Sequence, residues 1–86
     1  MNYTFQEWSE SGSFGNPLSG KHVEHASSMR QLRRAMTTWA DEHERYADVR
    51  DAIIRVWHGH LDDVTDVYPS FDLKIGPRGG IVRENL

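Results

Sequence analysis

The chain has no cysteine, so neither disulfides nor thiolate-bound metals can staple its fold. No apolar run approaches the ~18 residues of a membrane span. The N-terminal residues Met1 to Trp8 lack the basic and hydrophobic regions of a secretory signal. These absences predict a cytoplasmic protein with no membrane partner. Basic residues are not in excess either. Ten Lys and Arg against thirteen Asp and Glu leave a net charge of −3. A general nucleic-acid binder is usually basic overall, and −3 is too mild for a DNA mimic. Lysine is scarce, with Lys21 and Lys74 beside eight arginines. Internal repeats and low-complexity tracts are absent.

What remains is ordinary for a small folded protein. The 86 residues are 37% hydrophobic and 27% charged, which predicts one domain over residues 1–86 with one core. Without staples, stability has to come from packing, with self-association as a possible supplement.

The segment from Ser28 to His43 reads as an amphipathic helix. Met29, Leu32, Met36, Trp39 and His43 recur at three- and four-residue steps. Ser28 with Gln31 three residues on has the form of a capping box. Its charges run backwards. Arg30, Arg33 and Arg34 crowd the first turns, while Asp41, Glu42 and Glu44 crowd the last. The helix dipole prefers the opposite, by about 0.3–1 kcal/mol per exposed charge. Arg30 and Arg34 also repel as a like-charged pair one turn apart.

Around the helix the pattern is β. Tyr3 to Trp8 alternates Tyr3 and Phe5 against Thr4 and Trp8, as a short strand does. Ser9 to Gly20 is a Gly- and Ser-rich loop, with Phe14 and Leu18 available to dock it. Lys21 to His25 reads as a return strand anchored by Val23. Tyr46 to His58 fits a helix or a strand, and its β-branched and aromatic content over Ile53 to Trp57 favours strand. His60 to Ser70 is an acidic connection that Val64, Val67 and Tyr68 are expected to tuck down. Phe71, Leu73 and Ile75 alternate with Asp72 and Lys74, Gly76 to Gly80 turns, and Ile81 to Glu84 returns. The sum is an α+β fold: a small, mainly antiparallel sheet covered by one amphipathic helix.

Few motifs carry chemistry. Gly15-Asn16-Pro17-Leu18-Ser19-Gly20-Lys21 has the spacing of a phosphate-binding loop, but His22 stands where a Mg²⁺-holding Ser or Thr is needed. A structural turn explains it better, and no nucleotide is expected. Gly12-Ser13-Phe14-Gly15 is not a nucleophile elbow, because Ser11 occupies its first glycine position. No carboxylate or histidine spacing implies a general acid–base pair, so the chain reads as a non-enzyme. His22 and His25, then His58 and His60 with Asp62 and Asp63, raise the question of a metal. On a strand His58 and His60 would share a face. Linear spacing shows no convergence, so no metal ligand and no cofactor are assigned.

Recognition is left to charge. Arg30, Arg33 and Arg34 form a basic cluster at a helix N-terminus, and Lys74, Arg78 and Arg83 a second group on the hairpin, with Arg78 at its tip. Asp62, Asp63 and Asp66 form an acidic patch that could pair with the arginines, within the molecule or across two copies. An open sheet edge offers another route to a partner or a second copy.

Gly15-Asn16-Pro17-Leu18-Ser19-Gly20, Asp63-Val64-Thr65-Asp66-Val67-Tyr68-Pro69 and Gly76-Pro77-Arg78-Gly79-Gly80-Ile81 give the chain a resemblance. It resembles small proteins of unassigned activity encoded by bacteriophages of actinobacteria, mycobacteriophages in particular. That resemblance implies an accessory protein acting inside an infected bacterium. The expected function is non-enzymatic protein–protein contact, with a host component or with itself. Arg30, Arg33, Arg34, Arg78, Asp62, Asp63 and Asp66 are the candidate contact residues. The alternative is a nucleic-acid-binding module using the same arginines.

Overall fold

Apolar alternation in two segments and a continuous apolar run between them build the centre of one sheet. The computed structural model describes residues 1–9, 22–45 and 48–86. Strands β1 (Tyr3–Ser9), β2 (Glu24–Ala26), β3 (Ala52–His58), β4 (Phe71–Ile75) and β5 (Ile81–Asn85) lie in the order β2-β1-β3-β4-β5. Every neighbouring pair is antiparallel. Helix α1 (Met29–His43) packs on one face, giving the α+β architecture that the patterning predicts. Among the described residues, no helix is long and apolar enough to cross a membrane.

Register decides what the helix meets. Phe5 lies opposite Val56, and Ile54 opposite Leu73. Opposed residues share a face, so Tyr3, Phe5, Ile54, Val56, Phe71 and Leu73 form one apolar floor. Leu32, Met36, Trp39 and Ala40 of α1 pack on it, and Leu32 and Met36 have no exposed surface. Each such side chain contributes about 1.5–3 kcal/mol by leaving water. The Trp39 indole N–H donates to the Trp8 carbonyl at 3.1 Å, tying the helix to the end of β1.

The helix start is capped in a modified way. The Ser28 hydroxyl accepts from the Gln31 N–H at 3.2 Å, as expected. The Gln31 side chain, however, accepts from the Ser27 N–H at 2.7 Å and the Ser27 hydroxyl at 3.0 Å. The reciprocal half of the box is therefore displaced by one residue.

Within the ambiguous segment Tyr46 to His58, the strand reading holds for Ala52–His58, and Tyr46 and Ala47 lie outside the described residues. A 3-10 turn, Val49–Asp51, leads into β3, the central strand flanked by β1 and β4. Ile53 and Trp57 are buried on the far face as Ile54 and Val56 are on the near one. Burial on both faces gives a continuous apolar run, which hides the strand period.

Three expectations need correction. Of the expected return strand Lys21 to His25, His22 and Val23 lie outside the strand, which is Glu24–Ala26 with Ala26 as its buried residue. Tyr3 pairs with Ala26, so Val23 falls on the opposite parity and is only half-buried. In the 60–70 connection Val64 is buried, but Val67 and Tyr68 are 44% and 79% exposed. Hydrogen bonds hold that loop instead. The Trp57 indole N–H donates to the Val67 carbonyl at 2.7 Å, and the Thr4 hydroxyl donates to the Gly59 carbonyl at 2.8 Å. The expected loop beyond Ser9, with Phe14 and Leu18, and the start of the next strand at Lys21 lie outside the described residues.

Candidate functional site

The basic cluster on α1 is on display. Arg30, Arg33 and Arg34 are exposed, and among the described residues none of them has a carboxylate at ion-pair distance. Asp41, Glu42 and Glu44 lie at the other end of the helix, where Asp41, Glu42 and Glu44 face solvent. Among the described residues, the basic half of the backward charge order thus has no ion-pair partner. Arg34 lines a groove between α1 and the β1–β2 edge, together with Glu7, Glu24, Gln31, Thr38 and Glu42. Burial raises the Glu7 pKa above the ordinary glutamate value, and the negative charges of Glu24 and Glu42 push it the same way.

Topology separates this cluster from the rest of the candidate contact residues. α1 starts just after Ala26, which pairs with Tyr3, and ends at His43, whose Nε2 is 3.4 Å from the Ser9 hydroxyl. The helix therefore runs from the Tyr3 end of the sheet to the Ser9 end. The turn carrying Arg78 joins Ile75 to Ile81, beside the Lys74–Ile53 pair and so at the Ser9 end. Arg78 and the arginines of the helix start lie at opposite ends of the sheet. The second basic group is also dispersed. Lys74 pairs with Glu84 at 2.9 Å, while the Arg83 guanidinium lies 3.9 Å over the Phe71 ring and donates to Asn85.

The acidic residues sit on the other face. The loop after β3 folds over Thr4 and Trp57, away from α1. Asp63 accepts from the Thr65 N–H at 2.9 Å and so shapes its own turn. Asp62 and Asp66 are exposed. Among the described residues no pair forms between these aspartates and Arg30, Arg33 or Arg34.

The histidines are sorted by one glycine. His58 ends β3 on the helix side, its ring 5.6 Å from Tyr3 and 5.8 Å from Phe71. Gly59 has a φ of 94°, a conformation that costs glycine little. It breaks the alternation and carries His60 to the far face. There the His60 ring stacks on His25, with centroids 3.7 Å apart and planes at 11°. His58 and His60 therefore do not share a site, against the strand-based expectation. His60, His25 and Asp62 do come together. His22 and His58 are not members of that group.

Sequence spacing also missed the approach of Ser9 to His43. Both are buried, at 3% and 1% exposure. The contact joins the helix end to β1. Trp8 carries another arrangement with no linear signal: the Arg55 guanidinium lies 4.6 Å over its ring.

Comparison with known proteins returns no matching family model, no matching curated protein and no matching solved structure.

Proposed function

We propose that this chain acts by protein–protein contact rather than catalysis, presenting Arg30, Arg33 and Arg34 to an acidic face of a partner protein. What supports this is one observation: three exposed guanidiniums crowd a helix start, against the dipole, with no ion pair among the described residues. The resemblance to actinobacteriophage proteins would make a host component the partner. The acidic end of a second copy's helix, Asp41 to Glu44, is the corresponding partner for self-association. Arg78, at the far end of the sheet, belongs to a different contact.

The nucleic-acid alternative is weaker. The acidic end of the same helix would repel phosphates, and Arg78 cannot join the trio on one continuous basic stripe.

The test compares the wild type with Arg30→Glu/Arg33→Glu/Arg34→Glu. The wild type is expected to retain a partner from host lysate, or to self-associate in sedimentation, in a salt-weakened manner that the variant loses. Equal behaviour of the two proteins would discard the arginine face. Binding to labelled DNA or RNA that falls steeply with salt would promote the alternative, and flat titrations at low salt would remove it.

A further inference from the structure

His25 stands on a strand of only three residues at the edge of the sheet, and His60 and Asp62 stand on the loop after β3. One donor atom from each of the three lies within 4.8 Å of the others. We propose that these three side chains form a surface site for a divalent transition-metal ion of the zinc type, which ties β2 to that loop.

The donor set fits the ion. Two imidazoles and one carboxylate suit Zn²⁺ and disfavour Mg²⁺ or Ca²⁺, which take oxygen ligands. Ligands about 2.1 Å from a tetrahedral ion lie roughly 3.4 Å from each other. The two rings now stack 3.7 Å apart with planes at 11°, so binding needs the His60 ring to turn out of the stack and aim its in-plane lone pair at the ion, a rotation that an exposed side chain makes without moving backbone. A solvent molecule would complete the coordination, as in other three-ligand sites.

The backbone that carries these ligands is already held. The Gly59 N–H donates to the Asn2 carbonyl at 2.7 Å. The Thr4 hydroxyl donates to the Gly59 carbonyl and accepts from the Leu61 N–H, both at 2.8 Å. His60 is thus bracketed on both sides, and His25 lies directly across the strand pair from Thr4. The outer support is also present. Nε2 of His25 lies 2.8 Å from the Leu61 carbonyl, which can only accept, so this nitrogen carries the proton. Metal-bound histidines are commonly oriented by such an N–H to a backbone carbonyl, with the lone pair on the other ring nitrogen. The approach of His60 Nε2 to Asp62 at 3.7 Å brings the remaining donors side by side.

The consequence is mechanical. Among the described residues, β2 is attached to the sheet by three residue pairs with β1. In a chain without cysteine, an ion shared by β2 and the loop would add a cross-link of a kind that packing cannot supply.

Thermal melts and isothermal titration calorimetry with ZnCl₂, at neutral pH and in a non-chelating buffer, test this. The wild type is expected to bind one ion per chain and to gain several degrees in Tm at saturating metal, reversed by EDTA. MgCl₂ is expected to do nothing. His25→Ala and His60→Ala should each remove both signals, whereas His58→Ala, on the opposite face, should keep the calorimetric one. All the ligand side chains are exposed, so these variants keep the fold, which circular dichroism checks. No heat and no Tm change in the wild type would overturn the site. So would zinc binding that persists in the His25→Ala/His60→Ala double variant.

Discussion

Arg55 and Asp72 face each other across β3 and β4, and the Arg55 guanidinium grips both carboxylate oxygens at 3.0 Å. The Asp72 side chain is only 4% exposed, that of Arg55 28%, and the guanidinium also covers the Trp8 ring. One arginine therefore satisfies a buried carboxylate and roofs an aromatic on the face away from α1. This planar, two-pronged contact is one that lysine could not make.

Removing one partner leaves the other charge stranded. Arg55→Ala is expected to destabilise the protein by about 3 kcal/mol, since Asp72 would keep its burial and lose its cation. Replacing both, as Arg55→Leu/Asp72→Leu, is expected to cost much less, because no uncompensated charge remains. Urea denaturation midpoints of the three proteins check this. Equal costs for the single and double variants would show that the pair is not what holds the two strands here.

The arginines at the helix start lead to a gain in stability. Arg30→Glu replaces an unfavourable charge by a favourable one at the N-terminal turn, worth about 0.3–1 kcal/mol. It also converts repulsion with Arg34 into an attractive pair one turn apart. The expected result is a small rise in the denaturation midpoint that shrinks in high salt. A clear fall would mean that Arg30 has a partner inside the molecule, which would undercut its proposed role in contact.

Glu7 supplies a pH signature. Its folded pKa is raised, chiefly by burial and then by Glu24 and Glu42, above the ordinary value of 4.5. The folded state therefore holds its proton more tightly than the unfolded one. The stabilisation this gives is complete below pH 4.5 and is lost as pH rises through the folded pKa. Glu7→Gln is expected to raise the urea midpoint at pH 7 and to leave it unchanged well below the ordinary glutamate pKa. A constant difference at all pH values would show that shape, not charge, accounts for the effect.

Elements with one clean period were legible in the residues, and elements defined by a partner were not. The stripe Leu32, Met36, Trp39 and the alternation Phe71, Leu73, Ile75 announce α1 and β4 directly. β3 is buried on both faces, so its period is hidden and its residue types had to decide. β2 is misplaced by sequence because three residues carry almost no pattern and Tyr3 sets the register from across the sheet. The arginine cluster is visible in the residues, but its separation from Asp62, Asp63 and Asp66 depends on which face receives the aspartate loop. The His25–His60–Asp62 group was out of reach for a sharper reason. The positive φ at Gly59 ends the strand alternation and places His60 on the face opposite the one it predicts, and alternation arguments stop at such a residue.

The last prediction concerns Thr4, which has no exposed surface and joins the two sides of that reversal. Its hydroxyl serves the Gly59 carbonyl and the Leu61 N–H together. Thr4→Val keeps the shape but removes both hydrogen bonds, leaving a part-buried donor and acceptor unmatched. The expected cost is about 1–3 kcal/mol. The loss should be local as well as global. Amide exchange at Leu61 should accelerate, while Trp57, bonded further along the loop to Val67, keeps its near-ultraviolet circular dichroism. Because Thr4 brackets His60, the same variant should weaken zinc binding without removing a ligand. Unchanged exchange at Leu61 would mean that the loop is held by its other contacts, Trp57–Val67 and Gly59–Asn2 among them, and that Thr4 does not position His60.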